Sequence, residues 1–276
     1  MVARRLQQNM TTAAAVAPMA PVASIFPIRS IARRTLSCVL LPLLLSLPPM
    51  IRPAQAGSPP PQASEPHKYT WELDRSDTPC KSYSSVVAGR DYVAAKAVCD
   101  VSARIEVLGT ILRDIEAFPS WMYDCSGSKI LKIEDDENDT IVFWLHQHIP
   151  ILRDRDMLLR STVLSDHANG IRIIEARSTD DLKHDSGKDV LRMPSFYAQY
   201  KLEWIDREHT RVTYLIDPDL GPGLPITLTN ANIRKIPLRS MEGMMKMAKS
   251  KKYLDASKTS KYARWVEEAL RQGSLK

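Results

Sequence analysis

The sequence predicts an α+β fold, in which a curved antiparallel sheet wraps around a long C-terminal helix and encloses an internal hydrophobic cavity. Three observations predict it: a hairpin followed by a short helical segment, a series of six segments with strand-like alternation, and one long helical segment near the end of the chain. A sheet with one apolar face needs helices to cover that face, and the two layers then enclose a packed core or a ligand cavity.

The first predicted element is a β-hairpin. Residues 80–88 and 91–102 have the composition of strands and flank a tight turn at residues 89–90. In the register that a two-residue turn imposes, Cys80 stands directly opposite Cys99. Facing cysteines in an exported protein can form a disulfide, so we predict one between these two residues.

A helix and a set of strands follow the hairpin. Residues 104–117 place apolar side chains at helical spacing, and Pro119 ends this helix. Turn-rich sequence then separates segments in which apolar and polar residues alternate as they do in strands. The six predicted strands are residues 129–133, 140–149, 157–164, 171–178, 196–205 and 211–216.

The C-terminal part of the chain is predicted to be helical. One long helix is expected from about residue 225 to residue 253, and its weakest stretch is 232–235, because Pro237 would sit one turn inside it. A short amphipathic helix is expected at 261–272. Together with the strands, these helices complete the two layers of an α+β domain.

Residues 1–56 are predicted to be a signal peptide or another targeting segment. An arginine-containing patch at 29–34 precedes an apolar run at 35–47, and an Ala-x-Ala site follows at 54–56. Cleavage after Ala56 would export the protein to the periplasm or the medium. The alternatives are an uncleaved membrane anchor, which the shortness of the apolar run disfavours, and an organellar transit peptide.

Composition divides the rest of the chain into three parts. Residues 57–68 are Pro-rich and without periodicity, which predicts an unstructured linker. Residues 69–255 are long enough for one domain with a substantial core. Residues 256–276 form a basic amphipathic tail. We expect the protein to be a monomer.

The net charge of +6 belongs to the targeting segment, because residues 1–56 contain six arginines and no acid. The rest of the chain has 32 basic and 32 acidic residues, which disfavours a nucleic-acid partner. Its charge is uneven: residues 224–276 carry +8 and residues 57–223 carry −8. A basic C-terminal helix could dock on an anionic membrane, and a solvated helix face is the alternative.

Several short motifs, in a particular order, resemble a known family. They are Trp71-Glu72-Leu73, the Pro-Ser-Trp at 119–121, Arg155-Asp156, the Val-Leu-Arg at 190–192 and the DPDLGPGLP segment at 217–225. In this order and spacing the sequence resembles the START family, the StAR-related lipid-transfer domains of the helix-grip fold, over residues 69–253. The resemblance implies a hydrophobic tunnel that binds one lipid, a C-terminal helix as its lid, no cofactor and usually no catalysis.

Strand alternation predicts which side chains line the cavity, since successive residues face opposite sides of a sheet. Within the last long helix, four methionines in seven residues would suit a wall that adapts to a lipid. The alternative is that these residues form an ordinary core. The predicted lining consists of Phe143, Leu145, Gln147, Leu159, Ser161, Phe196, Tyr200, Leu202, Trp204, Tyr214, Ile233, Met241, Met244 and Met245.

One departure from the family makes the expected cavity more apolar. Some sterol-binding START domains carry a buried acidic residue and a basic residue on neighbouring strands, and the aligned positions here are Leu145 and Ser161. Recognition of a sterol hydroxyl by such a pair is therefore in doubt. Arg155 and Asp156 are expected to form a structural ion pair or cap rather than to bind ligand.

The sequence offers little support for catalysis or metal binding. His146 and His148 lie on one strand face, with Asp154 as a third candidate ligand, but hydrogen-bonded histidines explain them better and we expect no metal. No G-x-S-x-G, H-E-x-x-H or P-loop motif is present. A cyclase or hydrolase acting in the same cavity would depend on Tyr200 and Tyr214 beside Gln147. A ligand-sensing module that transfers nothing is the other alternative to a lipid carrier.

Overall fold

The computed structural model describes residues 69–77, 79–149 and 152–276. The predicted targeting segment at 1–56 and the predicted linker at 57–68 lie outside the described residues. The ten strands are β1 (Glu72–Asp77), β2 (Cys80–Ser85), β3 (Ala94–Val101), β4 (Cys125–Asp135), β5 (Thr140–Gln147), β6 (Asp154–Asp166), β7 (Ile171–Ser178), β8 (Val190–Arg192), β9 (Ser195–Trp204) and β10 (Thr210–Asp219). The five α-helices are α1 (Ile105–Arg113), α2 (Ile226–Ile233), α3 (Ile236–Met247), α4 (Lys251–Lys258) and α5 (Lys261–Arg271).

The strands form one large antiparallel sheet. Nine of them run in the order β1-β2-β3-β10-β9-β7-β6-β5-β4, and β8 pairs in parallel with β6. The predicted fold class, a large antiparallel sheet with C-terminal helices, is confirmed. Strands β1 and β8 are additions to the predicted set, because every residue of β1 is exposed and β8 has three residues, so neither shows apolar alternation.

The long C-terminal helix is a correction to the sequence prediction, because the structure divides it into α2, α3 and α4. The first break lies at Arg234-Lys235. Pro237 stands in the first turn of α3, and in a continuous helix its ring would clash with the carbonyl of Ile233 one turn earlier. The second break lies at Ser250, whose extended backbone conformation starts α4.

The first helix is also shorter than predicted. Helix α1 ends at Arg113, and residues Ile115–Ser120 continue as a 3-10 helix that contains Pro119. In an α-helix, this proline would clash with the carbonyl oxygen of Ile115. That oxygen instead accepts a hydrogen bond from the side chain of Ser128 at 2.7 Å. The 3-10 helix therefore packs against the start of β4 and lies beneath the sheet.

The hairpin has the predicted register but shorter strands. Strand β2 ends at Ser85 and β3 starts at Ala94, because residues between them bond to other elements. The Tyr92 hydroxyl donates to the carbonyl of Gly221 at 2.6 Å, and the Val93 amide donates to Asn230 at 3.0 Å.

Helix α3 packs against one side of the sheet and lies very close to the loop at Trp121. It packs against β2, β3 and β10, with Met241 and Met244 fully buried. A Cβ atom added at Gly243 would lie 2.1 Å from the carbonyl oxygen of Trp121, so only glycine allows this approach of helix and loop.

The last two helices belong to the folded unit. The domain boundary predicted after residue 255 falls inside α4, and residues 61–276 cluster as one compact unit. Helix α5 packs on α1, where the ring of Tyr262 lies 3.1 Å from the Cβ position of Gly109. Ser260 caps α5 by accepting a hydrogen bond from the amide of Ala263 at 3.1 Å. No helix in the described part of the chain combines the length and apolarity needed to cross a membrane.

The pairing of Cys80 with Cys99 yields a test of the disulfide. The structure places the two residues opposite each other on β2 and β3 and joins them, at a sequence separation of 19. A cross-link over a loop of this length stabilises a protein by about 3 kcal/mol. We expect unreduced, denatured protein that lacks residues 1–56, and with them Cys38, to contain one alkylatable thiol, Cys125. A Cys80→Ser variant should unfold at lower denaturant concentration. Alkylation of both Cys80 and Cys99 without reduction, measured by mass spectrometry, would contradict the pairing.

Candidate functional site: a cavity beneath the sheet

An elongated cavity lies between the inner face of the sheet and the helices. Strands β5, β6, β7 and β9 form one wall, and α1, the 3-10 helix and residues 122–125 form the other. The volume, counted to include its opening to solvent, is about 980 Å³.

The predicted lining residues divide into two groups. Eight of them line the cavity: Phe143, Leu145, Gln147, Leu159, Ser161, Phe196, Tyr200 and Tyr214. These all come from the predicted strands, so alternation along a strand located them correctly on its inner face.

Six predicted lining residues lie elsewhere in the core or at its edge: Leu202, Trp204, Ile233, Met241, Met244 and Met245. Leu202 and Trp204 occupy the far end of β9, where the indole nitrogen of Trp204 donates to the carbonyl of Lys276 at 3.2 Å. The helix residues belong to α2 and α3, and α3 covers β2, β3 and β10 instead of the strands that form the cavity.

The opposite wall contains residues that the sequence reasoning missed. Apolar side chains from α1, the 3-10 helix and the following loop complete it, together with one ring from α5: Leu112, Ile115, Phe118, Met122 and Tyr262. The helical spacing in 104–117 showed that this helix has an apolar face. It carried no information about which part of the sheet that face covers.

One end of the cavity, next to the start of β5, is charged. The carboxylate of Asp139 is buried and forms ion pairs with Arg113 at 3.0 Å, Arg172 at 2.6 Å and Lys261 at 2.6 Å. It also accepts a hydrogen bond from the Tyr262 hydroxyl at 2.8 Å. Arg113 also pairs with Asp136 at 2.7 Å, so several acidic and basic side chains meet in this region, which we call the Asp139 end.

The other end of the cavity, beyond the last residue of β5, contains Asp124. Its carboxylate accepts a hydrogen bond from the Asn232 amide of α2 at 2.6 Å. The neighbouring Tyr123 amide bonds to the Ser240 hydroxyl of α3 at 3.2 Å. This Asp124 end is therefore tied to the C-terminal helices, and it contains Tyr123, an exposed lining residue. The eight residues of β5 between the two ends span about 25 Å.

The middle of the cavity is apolar except for two tyrosines and a thiol. The rings of Tyr200 on β9 and Tyr214 on β10 stack face to face, with centroids 4.0 Å apart. Cys125 is also a lining residue of this cavity, and burial raises the pKa of its thiol to about 12. Burial also raises the pKa of both tyrosines, so all three groups are protonated and uncharged at neutral pH.

Arg155 and Asp156 do not form the predicted ion pair with each other. Successive residues of a strand point to opposite faces, which separates the two side chains. The buried guanidinium of Arg155 donates to the carbonyls of Leu220 at 3.1 Å and Pro222 at 3.0 Å. It also donates to the carbonyl of Arg153. Arg155 thereby holds the segment that leads from β10 into α2.

Asp156 lies on the outer face of the sheet and has its own partners. Its carboxylate pairs with Arg192 of β8 at 2.8 Å and accepts a hydrogen bond from the indole of Trp144 at 2.7 Å. Burial alone would raise the pKa of Asp156, but the hydrogen bonds, led by that of Arg192, lower it. The predicted ion pair is therefore wrong, and each residue acts through partners of its own.

Of the predicted histidine pair, His146 borders the cavity and His148 does not. His146 and His148 both contact the Asp154 carboxylate, at 3.3 Å and 3.0 Å, and His146 shares a hydrogen bond with Ser126 at 2.7 Å. The ring of His146 stacks on Trp144 on the outer face. In the described ranges, no group of three or more His, Cys, Asp or Glu side chains could hold a metal ion.

Comparisons with known proteins agree with this architecture. No family model matches the sequence. The chain is similar to the uncharacterized protein PA1579 of Pseudomonas aeruginosa, at 24% identity over 66% of this chain and 88% of that protein. Its structure is similar to that of a STAR-related lipid transfer protein from Xanthomonas axonopodis (fragment 25–204), with a TM-score of 0.58, 23% identity, and coverage of 65% of this chain and 99% of that one. The chain has the START fold. Human STARD10 matches with a TM-score of 0.57 and 20% identity over 73% of this chain and 78% of that one.

The resemblance deduced from the motifs is thus confirmed at the level of the START fold, and the structure explains two of the motifs physically. The Arg155 of the Arg-Asp pair binds the carbonyls of the DPDLGPGLP segment, so these two motifs meet in space. Gly221 of that segment has a positive φ of 72°, a conformation that favours glycine.

The departure at the two polar START positions is visible in the cavity. Leu145 is buried in the lining and offers no polar group. The Ser161 hydroxyl donates to the carbonyls of Asp139 and Ile141, at 3.3 Å and 3.4 Å. Both bonds are internal to the wall, so this cavity has no acid–base pair at the positions of Leu145 and Ser161.

The carboxyl of Asp124 gives a pH-dependent prediction. Burial is the largest influence on its pKa and raises it, although hydrogen bonds from Asn232 and Gln147 act against this. A raised pKa in the folded state means that stability is lost as the pH rises from the ordinary value of Asp, about 3.9, through the folded value. Asp124→Asn cannot ionise, and Asn tolerates the positive φ of 61° at this position. We expect the melting temperature of Asp124→Asn, relative to the unmodified protein, to increase between about pH 3.5 and pH 7.

The matched control is Asp135→Asn, since hydrogen bonds from Asn138 lower the pKa of Asp135. Its relative melting temperature should fall over the same pH range. A constant difference for Asp124→Asn across the range would contradict the raised pKa.

Proposed function

We propose that the protein binds one hydrophobic ligand, a lipid or a similar apolar molecule, in this cavity and carries it between membranes after export. The observation that carries the proposal is the long apolar middle of the cavity, enclosed by sheet and helices in a START fold. Removal of apolar ligand surface from water supplies about 25 cal/mol per Å². Two of the similar structures are described as lipid transfer proteins, which supports a lipid as the ligand class.

The direct experiment is native mass spectrometry of the protein purified from its host. We expect a bound lipid at one molecule per chain. Ala198→Phe would place a ring in the cavity, because Ala198 is a buried lining residue of β9. We expect this variant to lose the bound lipid and to bind a lipid extract at least 10-fold more weakly.

The matched control is Thr213→Phe, which adds the same ring to the neighbouring strand β10. Thr213 lies next to Tyr214, so its side chain points to the opposite face of the sheet. This variant should retain lipid. An unmodified protein that is empty and does not bind extracted lipids would contradict the proposal. Binding without any liposome-to-liposome transfer would favour a ligand-sensing module over a carrier.

We propose that the basic surface at the junction of α3 and α4 contacts the anionic membrane. Lys246, Lys249 and Lys251 are exposed there and form no ion pair with any described residue. Five other basic residues of this region are paired with acids: Arg234, Arg239, Lys252, Lys258 and Lys261. Helix α2, which is tied to the Asp124 end, also exposes Ile226 and Leu228, apolar side chains that could enter the membrane interface.

Vesicle binding tests this surface. Each surface lysine contributes about 1 kcal/mol to binding of an anionic bilayer, so replacing Lys246, Lys249 and Lys251 by Gln should weaken binding by about 100-fold. The comparison uses phosphatidylcholine vesicles with and without phosphatidylglycerol, in a sedimentation assay at low salt. A control with Lys81, Lys129 and Lys188 replaced by Gln has the same net charge and should bind as the unmodified protein does. Equal loss in both triple variants would show a response to net charge only.

A further inference from the structure

The carboxylate of Asp124 lines the cavity and is half-buried, yet it forms no ion pair with any residue in the part of the chain that the structure describes. The Asn232 amide donates to one of its two oxygens, Oδ2, at 2.6 Å. The amide of Gln147, another lining residue, lies near enough to lower the pKa of Asp124. Both partners are neutral, whereas a carboxylate withdrawn from water is normally paired with a cation.

The second oxygen of Asp124 is available for a further hydrogen bond. No described residue donates a close hydrogen bond to Oδ1, and Oδ1 is not one of the buried, unpartnered atoms of the described residues. Oδ1 is therefore open to the cavity or its mouth, where a ligand can reach it. An ionised carboxylate accepts about four hydrogen bonds, so capacity remains after the bond from Asn232.

The carboxylate at the opposite end of the cavity has a different role. Asp139 is paired with Arg113, Arg172 and Lys261, and these partners fix it as part of the wall. Asp124 has no comparable set of partners, although both carboxylates line the same cavity. The difference indicates that Asp124 is placed to bind something other than a neighbouring side chain.

The fold keeps the Asp124 carboxylate at a cost. Burial is the largest influence on its pKa and raises it, so the ionised form is less stable here than in water. The backbone of Asp124 also has a positive φ of 61°, which is uncommon for a residue other than glycine. Desolvated charge and an unusual backbone conformation at one cavity residue are typical of ligand sites.

The charges near Asp124 determine which head group fits. The basic groups of His148 and Lys235 act on its carboxylate through their charge. A cationic head group would be repelled by these groups, and an anionic head group would be repelled by Asp124 itself. An uncharged donor such as a hydroxyl group avoids both penalties.

We propose that the Asp124 carboxylate accepts a hydrogen bond from an uncharged hydroxyl group at one end of the ligand. This inference rests on the proposed function and adds a ligand class to it: lipids with a free hydroxyl head group and an apolar body. The head group lies at the Asp124 end, beside Asn232 of α2, and the apolar body extends along the middle of the cavity toward Asp139. The acceptor belongs to the loop before β4, so it does not depend on the positions of Leu145 and Ser161.

The test compares 1-dodecanol with methyl dodecyl ether, which has the same chain and an oxygen but no donor. Each probe displaces diphenylhexatriene, a neutral fluorescent molecule, from the cavity. Asp124→Gly removes the carboxylate and keeps the backbone, because glycine readily adopts a positive φ. We expect the affinity for the alcohol to fall about 10-fold in this variant, through loss of a hydrogen bond to a charged acceptor, while the affinity for the ether is unchanged.

Asp166→Gly is the matched control. Its carboxylate is exposed at the end of β6, bonds to Asn169 and lies outside the cavity lining, so its loss should leave the ratio of the two affinities unchanged. The same ratio in Asp124→Gly as in the unmodified protein, with both probes bound, would overturn the inference and leave the proposed function intact. Failure of the unmodified protein to bind either probe would overturn both.

A second measurement uses the unmodified protein. The ¹³C resonance of the Asp124 carboxyl, assigned by its loss in Asp124→Asn, is followed against pH with each probe bound. A hydrogen bond from the alcohol favours the ionised carboxylate, so the midpoint should lie at lower pH with 1-dodecanol than with the ether. His148 and Lys235 are present in both complexes and do not produce this difference. Equal midpoints would show that the hydroxyl does not reach Asp124 and would overturn the inference.

Discussion

The burial of the Arg155 guanidinium is the interaction on which the layout of the molecule depends. A buried cation must be surrounded by acceptors, and here the carbonyls of Leu220 and Pro222 serve. Burial lowers the pKa of Arg155, but an arginine stays charged at any physiological pH. Those carbonyls fix the path of the chain after β10 and hence the point at which α2 starts. The C-terminal helices start from the point that these bonds define.

The position of the C-terminal helices explains why the cavity lies where it does. Helix α3 lies very close to the loop at Trp121 and packs against β2, β3 and β10. Its methionines fill a packed core there instead of lining a tunnel. The other half of the sheet is covered by α1 and the 3-10 helix, which leave space beneath β5, β6, β7 and β9. The sequence predicts that one long helix closes the cavity. In the structure, α3 packs against β2, β3 and β10, and α1 with the 3-10 helix covers the cavity.

Patterns with a local physical cause were predictable from the sequence. Strand alternation located the inner faces of β5, β6 and β9. The register that brings Cys80 opposite Cys99 is as predicted, although the two-residue turn at 89–90 is not formed: residues 86–93 connect β2 and β3, and the Arg90 amide bonds to the carbonyl of Val87. Contacts between distant segments were not predictable. Nothing local to Asp139 reveals that Lys261 lies beside it, and the two motif residues Arg155 and Asp156 suggest each other as partners although the strand points them apart. Pro237 is a sequence signal for the break between α2 and α3, but the sequence does not reveal where α3 packs after that break.

The Asp139 end makes the cavity wall depend on a helix that lies outside the sheet. Its carboxylate holds together α1, β7 and α5. A buried carboxylate is tolerated only while its partners surround it. If α5 moved away, Asp139 would lose Lys261 and the hydroxyl of Tyr262, and the cavity would lose the Tyr262 ring from its wall. Loosening of this one helix would therefore open the cavity at its Asp139 end without any change in the sheet.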